Sequence, residues 1–151
     1  MKMVRLFFVL FTIVTLGGAD SINIDKLAAY AKKSHKHVLI FLHKPHCNFC
    51  ENMIEFTLPD EKIEEKIKKN FIFVDINIAD KGKIIFDDFN GSKHDFAKLL
   101  RFNFYPSSVF IDGDGEVVYG QAGYKDEDKF LKTLRFVESC SYVDMGIDDF
   151  K

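Results

Sequence analysis

Cys47-Asn48-Phe49-Cys50 is the segment of this chain whose residue types and spacing can do chemistry. Two thiols separated by two residues can close a disulfide, and such a pair exchanges with other disulfides by attack of a thiolate on sulfur. The residues before it, His37-Val-Leu-Ile-Phe-Leu-His43, are an apolar run of strand length, and those after it favour helix. Cys47 therefore falls at a helix N-terminus, where unpaired backbone N–H groups and the helix dipole favour negative charge. That setting lowers a thiol pKa, and the thiolate is the attacking species. Cys50 lies one turn further in, on the same side and less accessible. The spacing predicts a cycle in which Cys47 attacks a substrate disulfide, a mixed disulfide forms, and Cys50 resolves it.

Other uses of these residues are open at this point. His43 and His46 stand close to the pair, so a site of two histidines and two cysteines (His43, His46, Cys47, Cys50) would make the chain a metal- or haem-delivery module. No second Cys-x-x-Cys supplies the ligands of a zinc knuckle, and the spacing is cramped for one tetrahedral ion. A purely structural disulfide is a further alternative. The third cysteine, Cys140, is a buried core residue, a free thiol or an intermolecular partner, with the core the favoured place. Asp112-Gly-Asp-Gly-Glu116 lacks the later Gly and Glu of a calcium loop and reads as a hairpin turn.

The elements that must position the pair follow from pattern. Asn23 or Asp25 can cap a helix running to about Lys33. The helical stretch from Cys47 to Lys69 is broken by Pro59, which cannot donate to a helical ladder, so two helices or a kink are expected. Phe71-Ile-Phe-Val-Asp-Ile-Asn-Ile78 is a second strand, apolar on both faces at most positions. Residues 79–91 read as an insertion holding a short Lys83-Ile-Ile-Phe86 strand or turn. Ser92 opens a helix, with Asp95 three residues on. Ser107-Ser-Val-Phe-Ile111 and Glu116-Val-Val-Tyr119 pair across the Asp112–Gly115 turn, and a last helix runs from Asp126 to about Val137. Strands separated by helices favour parallel pairing, while the final hairpin is antiparallel. The expected architecture is α/β: a mixed four- or five-stranded sheet with helices on both faces.

Met1–Arg5 carries positive charge, Leu6–Leu16 is apolar apart from two threonines, and Gly17-Gly-Ala19 follows. This is the order of a secretory signal with cleavage after Ala19; the alternative is an N-terminal anchor in the inner membrane. The expected organisation is a signal peptide over residues 1–19 and a single domain over 20–151. An exported fate suits a disulfide, which is rare in the cytosol. Without the first nineteen residues the chain holds 19 basic and 23 acidic side chains, a net charge of about −4. A mildly acidic surface with no basic stripe argues against nucleic-acid partners.

Val38-Leu-Ile-Phe-Leu-His-Lys-Pro-His-Cys-Asn-Phe-Cys50, with Phe104-Tyr-Pro-Ser-Ser-Val-Phe-Ile-Asp112 and Gly115-Glu-Val-Val further on, resembles the thioredoxin superfamily over roughly residues 25–140. More narrowly, it is similar to periplasmic thioredoxin-like proteins of the SoxW type and to the C-terminal domain of the membrane reductase DsbD. The resemblance implies a thioredoxin fold with the Cys-x-x-Cys at a helix N-terminus. It implies a periplasmic thiol–disulfide oxidoreductase that reduces clients, with an oxidant or isomerase of the same fold as the alternative. Its partners would be proteins with disulfides and a membrane reductase of the DsbD or CcdA type. It would need no cofactor beyond the redox-active Cys47–Cys50 disulfide.

By the same resemblance, Pro106 is the cis-proline facing the pair, and Tyr105 offers its backbone to the substrate chain. An X-Pro bond can be cis, which is all the residue itself says. His46 stands where thioredoxins usually have Trp and would contact substrate; an imidazolium there would add to thiolate stabilisation. Phe41 replaces the buried acid that many thioredoxins carry six residues before the first Cys. Asp75, expected in a central strand, is the candidate proton relay in its place. The dipeptide between the cysteines, Asn48-Phe49, tunes the potential, leaving open the span from about −270 mV for thioredoxin to about −120 mV for DsbA.

Overall fold

The computed structural model describes residues 21–151; the expected signal segment lies outside them. The chain runs β1 (Ser21–Asn23), α1 (Ile24–Ser34), β2 (His37–His43), α2 (Asn48–Asn52) continuing into a π-helical turn (Met53–Thr57), α3 (Glu61–Asn70) and β3 (Phe71–Asn77). It continues through β4 (Lys83–Phe86), β5 (Phe89–Ser92), α4 (Lys93–Leu99), β6 (Ser107–Ile111), β7 (Val117–Ala122) and α5 (Glu127–Glu138), ending in a 3₁₀ turn (Ser141–Val143) and an irregular tail.

β2 organises the main sheet. It pairs in parallel with β3, His37 opposite Phe71 through His43 opposite Asn77. On its other side it pairs antiparallel with β6, and β6 pairs with β7, giving the order β3-β2-β6-β7. Its apolar run is long because both faces are covered. Val38, Ile40 and Leu42 enter one core with Ile24, Ala28, Phe96 and Ile111. Leu39 and Phe41 enter the other with Met53, Ile63, Phe110 and Leu134. The alternation of side chains along a strand thus splits the core into two halves.

Each long helix starts at a side-chain cap that satisfies an orphan N–H. Asn23 accepts from Lys26, Asp60 from Lys62 and Ile63, Ser92 from Asp95, and Asp126 from Lys129. The β6–β7 turn is held by Asp112, whose Oδ1 accepts the N–H groups of Asp114 and Glu116, both at 2.9 Å.

Within residues 79–91 the expected Lys83–Phe86 strand forms as β4; it pairs with β5 in a hairpin, and β1 adds in parallel to make a separate three-stranded sheet. One expectation is corrected: β3, which carries Asp75, is an edge strand rather than a central one. Past α5, Tyr142, Ile147 and Phe150 pack against the α5 side, and Tyr142 Oη lies 3.1 Å from His37 Nε2. No helix among the described residues is long and apolar enough to cross a membrane.

The β6–β7 turn approaches α1 closely. A Cβ on Gly113 would lie 2.8 Å from Lys32 Cα, against backbone that cannot swing aside, whereas one on Gly146 would meet nothing nearer than 3.8 Å. Gly113→Ala is therefore expected to cost about 1–3 kcal/mol of stability as an overpacked contact. Urea unfolding should show that loss, with Gly146→Ala close to the parent.

Candidate active site

The end of β2 leads through Lys44-Pro45-His46 to Cys47, which is the N-cap of α2 in extended conformation (φ −125°, ψ 95°). His46 makes the bend by adopting a left-handed backbone (φ 55°) and is exposed. Cys47 and Cys50 are joined in a disulfide with Cα atoms 5.2 Å apart. The backbone N–H of Cys50 donates to Cys47 Sγ at 3.2 Å. The sulfur thus does what a capping oxygen does elsewhere. A negative charge on that sulfur would strengthen the bond, because hydrogen bonds to ionised acceptors are the stronger ones.

Both sulfurs sit low in the surface. Cys47 keeps 8% exposure and Cys50 1%. Of the two, Cys47 is the less deeply buried. The Tyr105–Pro106 peptide is cis, and Tyr105 O lies 3.7 Å from Cys47 Sγ. Pro106 is buried, and its carbonyl accepts the N–H of Gly123 at 2.7 Å, which binds the 122–126 loop to the site. From the far side, buried Thr57 donates its hydroxyl to Lys125 O at 2.9 Å. The π-helical turn directs Met53 and Thr57 inward while leaving Ile54 and Phe56 exposed.

Around the opening stand groups of mixed character. Asn48 and Phe49 begin α2 in the open; Phe49 is 63% exposed, its ring 6.5 Å from that of Tyr124. Phe104, one residue before Tyr105, is 76% exposed. The ammonium of Lys44 lies 5.9 Å from the centre of the Tyr105 ring, which puts a cation beside the strand that borders Cys47. Burial holds the Tyr105 phenol above its ordinary pKa. Burial, then the Lys129 ammonium, lowers that of Lys125 against the opposing pull of Asp126.

The structure therefore brings together Cys47, Cys50, His46, Asn48, Phe49, Tyr105 and Pro106. It does not place Asp75 as a buried acid: that carboxylate is 60% exposed and lies 2.9 Å from Nε2 of His43, itself 15% exposed. Among the described residues no three His, Cys, Asp or Glu side chains converge as a metal site. Cys140 is not a core residue but an exposed free thiol. The sequence reading missed Thr57, Gly123, Phe104 and Lys44. Nothing local distinguishes Thr57, whose partner is 68 residues away.

The thioredoxin-like domain family matches residues 24–138, and the chain belongs to it. Solved structures agree with the fold. A thioredoxin-fold protein from Helicobacter pylori superposes with a TM-score of 0.69 at 20% identity, over 89% of this chain and 83% of that one. A thioredoxin from Thermus thermophilus gives 0.61 at 22% identity, over 78% and 85%. The C-terminal domain of Neisseria meningitidis DsbD in its oxidised form gives 0.54 at 16%, over 74% and 90%. No curated protein matches the sequence. A thioredoxin-like fold carrying a Cys-x-x-Cys pair at the start of a helix supports thiol–disulfide oxidoreductase chemistry in general.

The sulfur geometry has a direct consequence. In the oxidised native protein Cys140 is the one cysteine not bonded to another. Ellman's reagent is expected to titrate one thiol per chain without denaturant, and none in Cys140→Ser.

Proposed function

We propose that this chain is an exported thiol–disulfide oxidoreductase that reduces disulfides in periplasmic client proteins, drawing its electrons from a membrane reductase of the DsbD or CcdA type. A signal peptide ending at Ala19 would precede a single redox domain. The observation that carries the chemistry is the capping geometry: Cys47 Sγ accepts the Cys50 N–H at the first turn of a helical segment, with its partner sulfur behind it. When the pair is reduced, Cys47 is the sulfur whose thiolate the backbone stabilises and the one that lies nearer the surface. It attacks one sulfur of a client disulfide, and the other client sulfur leaves as a thiolate. Cys50 then attacks Cys47 Sγ, releasing the reduced client and leaving the Cys47–Cys50 disulfide. Two electrons pass to the client in each cycle, and the membrane partner returns them.

Client recognition is assigned to the rim. Tyr105 O, beside Cys47, offers an acceptor to an extended client backbone, as one strand does to another. Phe49 and Phe104 supply apolar contact on either side, and His46 flanks the sulfur.

Two measurements test the reading. Cys50→Ser, which cannot resolve, is expected to accumulate clients as mixed disulfides through Cys47, recovered from oxidised periplasm and released by dithiothreitol. Recovery of no adducts would end the client-reducing role. Equilibration of the pair with glutathione is expected to place its potential nearer to about −270 mV than to about −120 mV. A value at the upper end would turn the chain into an oxidant with the same residues.

A further inference from the structure

Hydroxyls on the helices of this chain turn back on their own helix. Ser34 donates to Tyr30 O at 2.9 Å, Thr133 to Lys129 O at 3.0 Å and Ser139, at the end of α5, to Arg135 O at 2.8 Å. This is the local bond that a serine or threonine on a helix ordinarily finds. Thr57 does otherwise. Its side chain is fully buried at the end of the π-helical turn, and its hydroxyl donates at 2.9 Å to the carbonyl of Lys125, 68 residues away.

That carbonyl belongs to the loop of residues 122–126, which is fastened at several points. The Lys125 ammonium curls back to Ala122 O at 3.0 Å and to Gly123 O at 3.4 Å. Gly123 takes a left-handed conformation (φ 84°) and donates its N–H to Pro106 O at 2.7 Å. Ala122 stands opposite Ser107 in the β6–β7 register. One residue before Pro106, Tyr105 O lies 3.7 Å from Cys47 Sγ. A path of contacts therefore runs from the Thr57 hydroxyl through Lys125 O, Gly123 N–H and Pro106 O to the carbonyl beside the reacting sulfur. Its other end is the helical segment that Cys47 itself caps, so the path closes a ring around the disulfide.

We propose that Thr57 is a positioning residue for client binding, its hydroxyl holding Tyr105 O, by way of Lys125 and Gly123, where an extended client backbone meets Cys47. This rests on the thiol–disulfide reading above and deepens it. A carbonyl sheltered from water without a donor is costly, and the cheapest remedy is to turn it towards solvent. Without the Thr57 hydroxyl the loop swings outward at Lys125, Gly123 is drawn off Pro106, and the Tyr105 carbonyl loses its fixed place. Thr57 touches neither client nor reacting sulfur. Its effect is felt by substrates that have a main chain to lay along Tyr105. A small disulfide reaches Cys47 without that carbonyl.

The test uses the full chain carrying Cys140→Ser in two assays. One follows steady-state reduction of insulin with dithiothreitol as the electron source, the uncatalysed rate subtracted. The other follows the first thionitrobenzoate released when the reduced chain meets Ellman's reagent. Thr57→Val keeps the shape of the side chain and removes the donor. It is expected to raise KM for insulin about fivefold, the factor that one ordinary hydrogen bond is worth, with kcat within about twofold. Its reaction with Ellman's reagent should stay within about twofold of the parent. Thr57→Ser keeps the donor and should restore the parent KM. Lys125→Met keeps the stem, removes the clip to Ala122 and Gly123, and should raise KM about threefold with the same split between substrates. A parent-like KM for insulin in Thr57→Val would overturn the proposal. So would equal losses against insulin and Ellman's reagent, the pattern of a general disturbance of the disulfide. Should Thr57→Val fail to fold, Lys125→Met decides by the same two criteria. A parent chain that reduced no insulin would instead remove the oxidoreductase reading itself.

Discussion

The Cys47 sulfur caps the helix whose first turn also carries its partner, and the rest of the molecule maintains that coincidence. A three-residue separation closes a disulfide when the first cysteine is still extended and the second is already helical, as the N-cap geometry of Cys47 provides. The bend must therefore come before Cys47, and His46 takes it in a left-handed conformation that side-chain-bearing residues seldom adopt. The direction of approach is set by β2, held on both sides by β3 and β6.

Three chain segments distant in sequence close around that turn. The Tyr105–Pro106 peptide brings a carbonyl beside Cys47, Pro106 holds Gly123, and Thr57 holds Lys125. The last two contacts fasten the loop before α5 to both the proline loop and the π-helical turn. A π-helical turn inserts an extra residue in the helical ladder, and such turns occur often at functional sites. Cys50, Met53 and Thr57 share a buried side across it. The two half-cores then have different duties. The half beneath α2, α3 and α5 supports the cysteines and contains His43 and Phe41 on its sheet face. The half beneath α1 and α4 carries the small second sheet and closes the other side of the molecule.

Much of this is legible in the residues. β2 is a long apolar run buried on both faces, while β3 keeps its apolar character with Phe73 and Asp75 exposed on one face. Asn23, Asp60, Ser92 and Asp126 mark helix starts because a short polar side chain before an amphipathic stretch satisfies an orphan N–H. Less legible was the segment 79–91. Its strands are four residues each and alternate weakly, and β4 is completed on its other side by β1, a three-residue strand about 60 residues earlier. Asp75 was misplaced for a related reason: an apolar run does not say whether its strand lies at the centre or the edge of a sheet. Cys140 was misplaced because a cysteine just past the end of an amphipathic helix is buried or exposed according to how that helix ends. Here the chain leaves α5 in a left-handed turn at Cys140 itself.

By itself the sequence determined the reacting pair, their order along the chain and the helix start that sets them apart, since these depend on neighbours within a few residues. It also specified the strand that precedes them and the proline that opens β6. Tertiary structure alone decided which groups surround the sulfurs. Tyr105 O, Thr57 and the loop at Gly123 reach the site only because β2, β6 and β7 pair in one register, and His43 meets Asp75 only because β3 pairs in parallel with β2. Local propensities act over one or two turns of chain, whereas those encounters depend on how strands separated by tens of residues come into register.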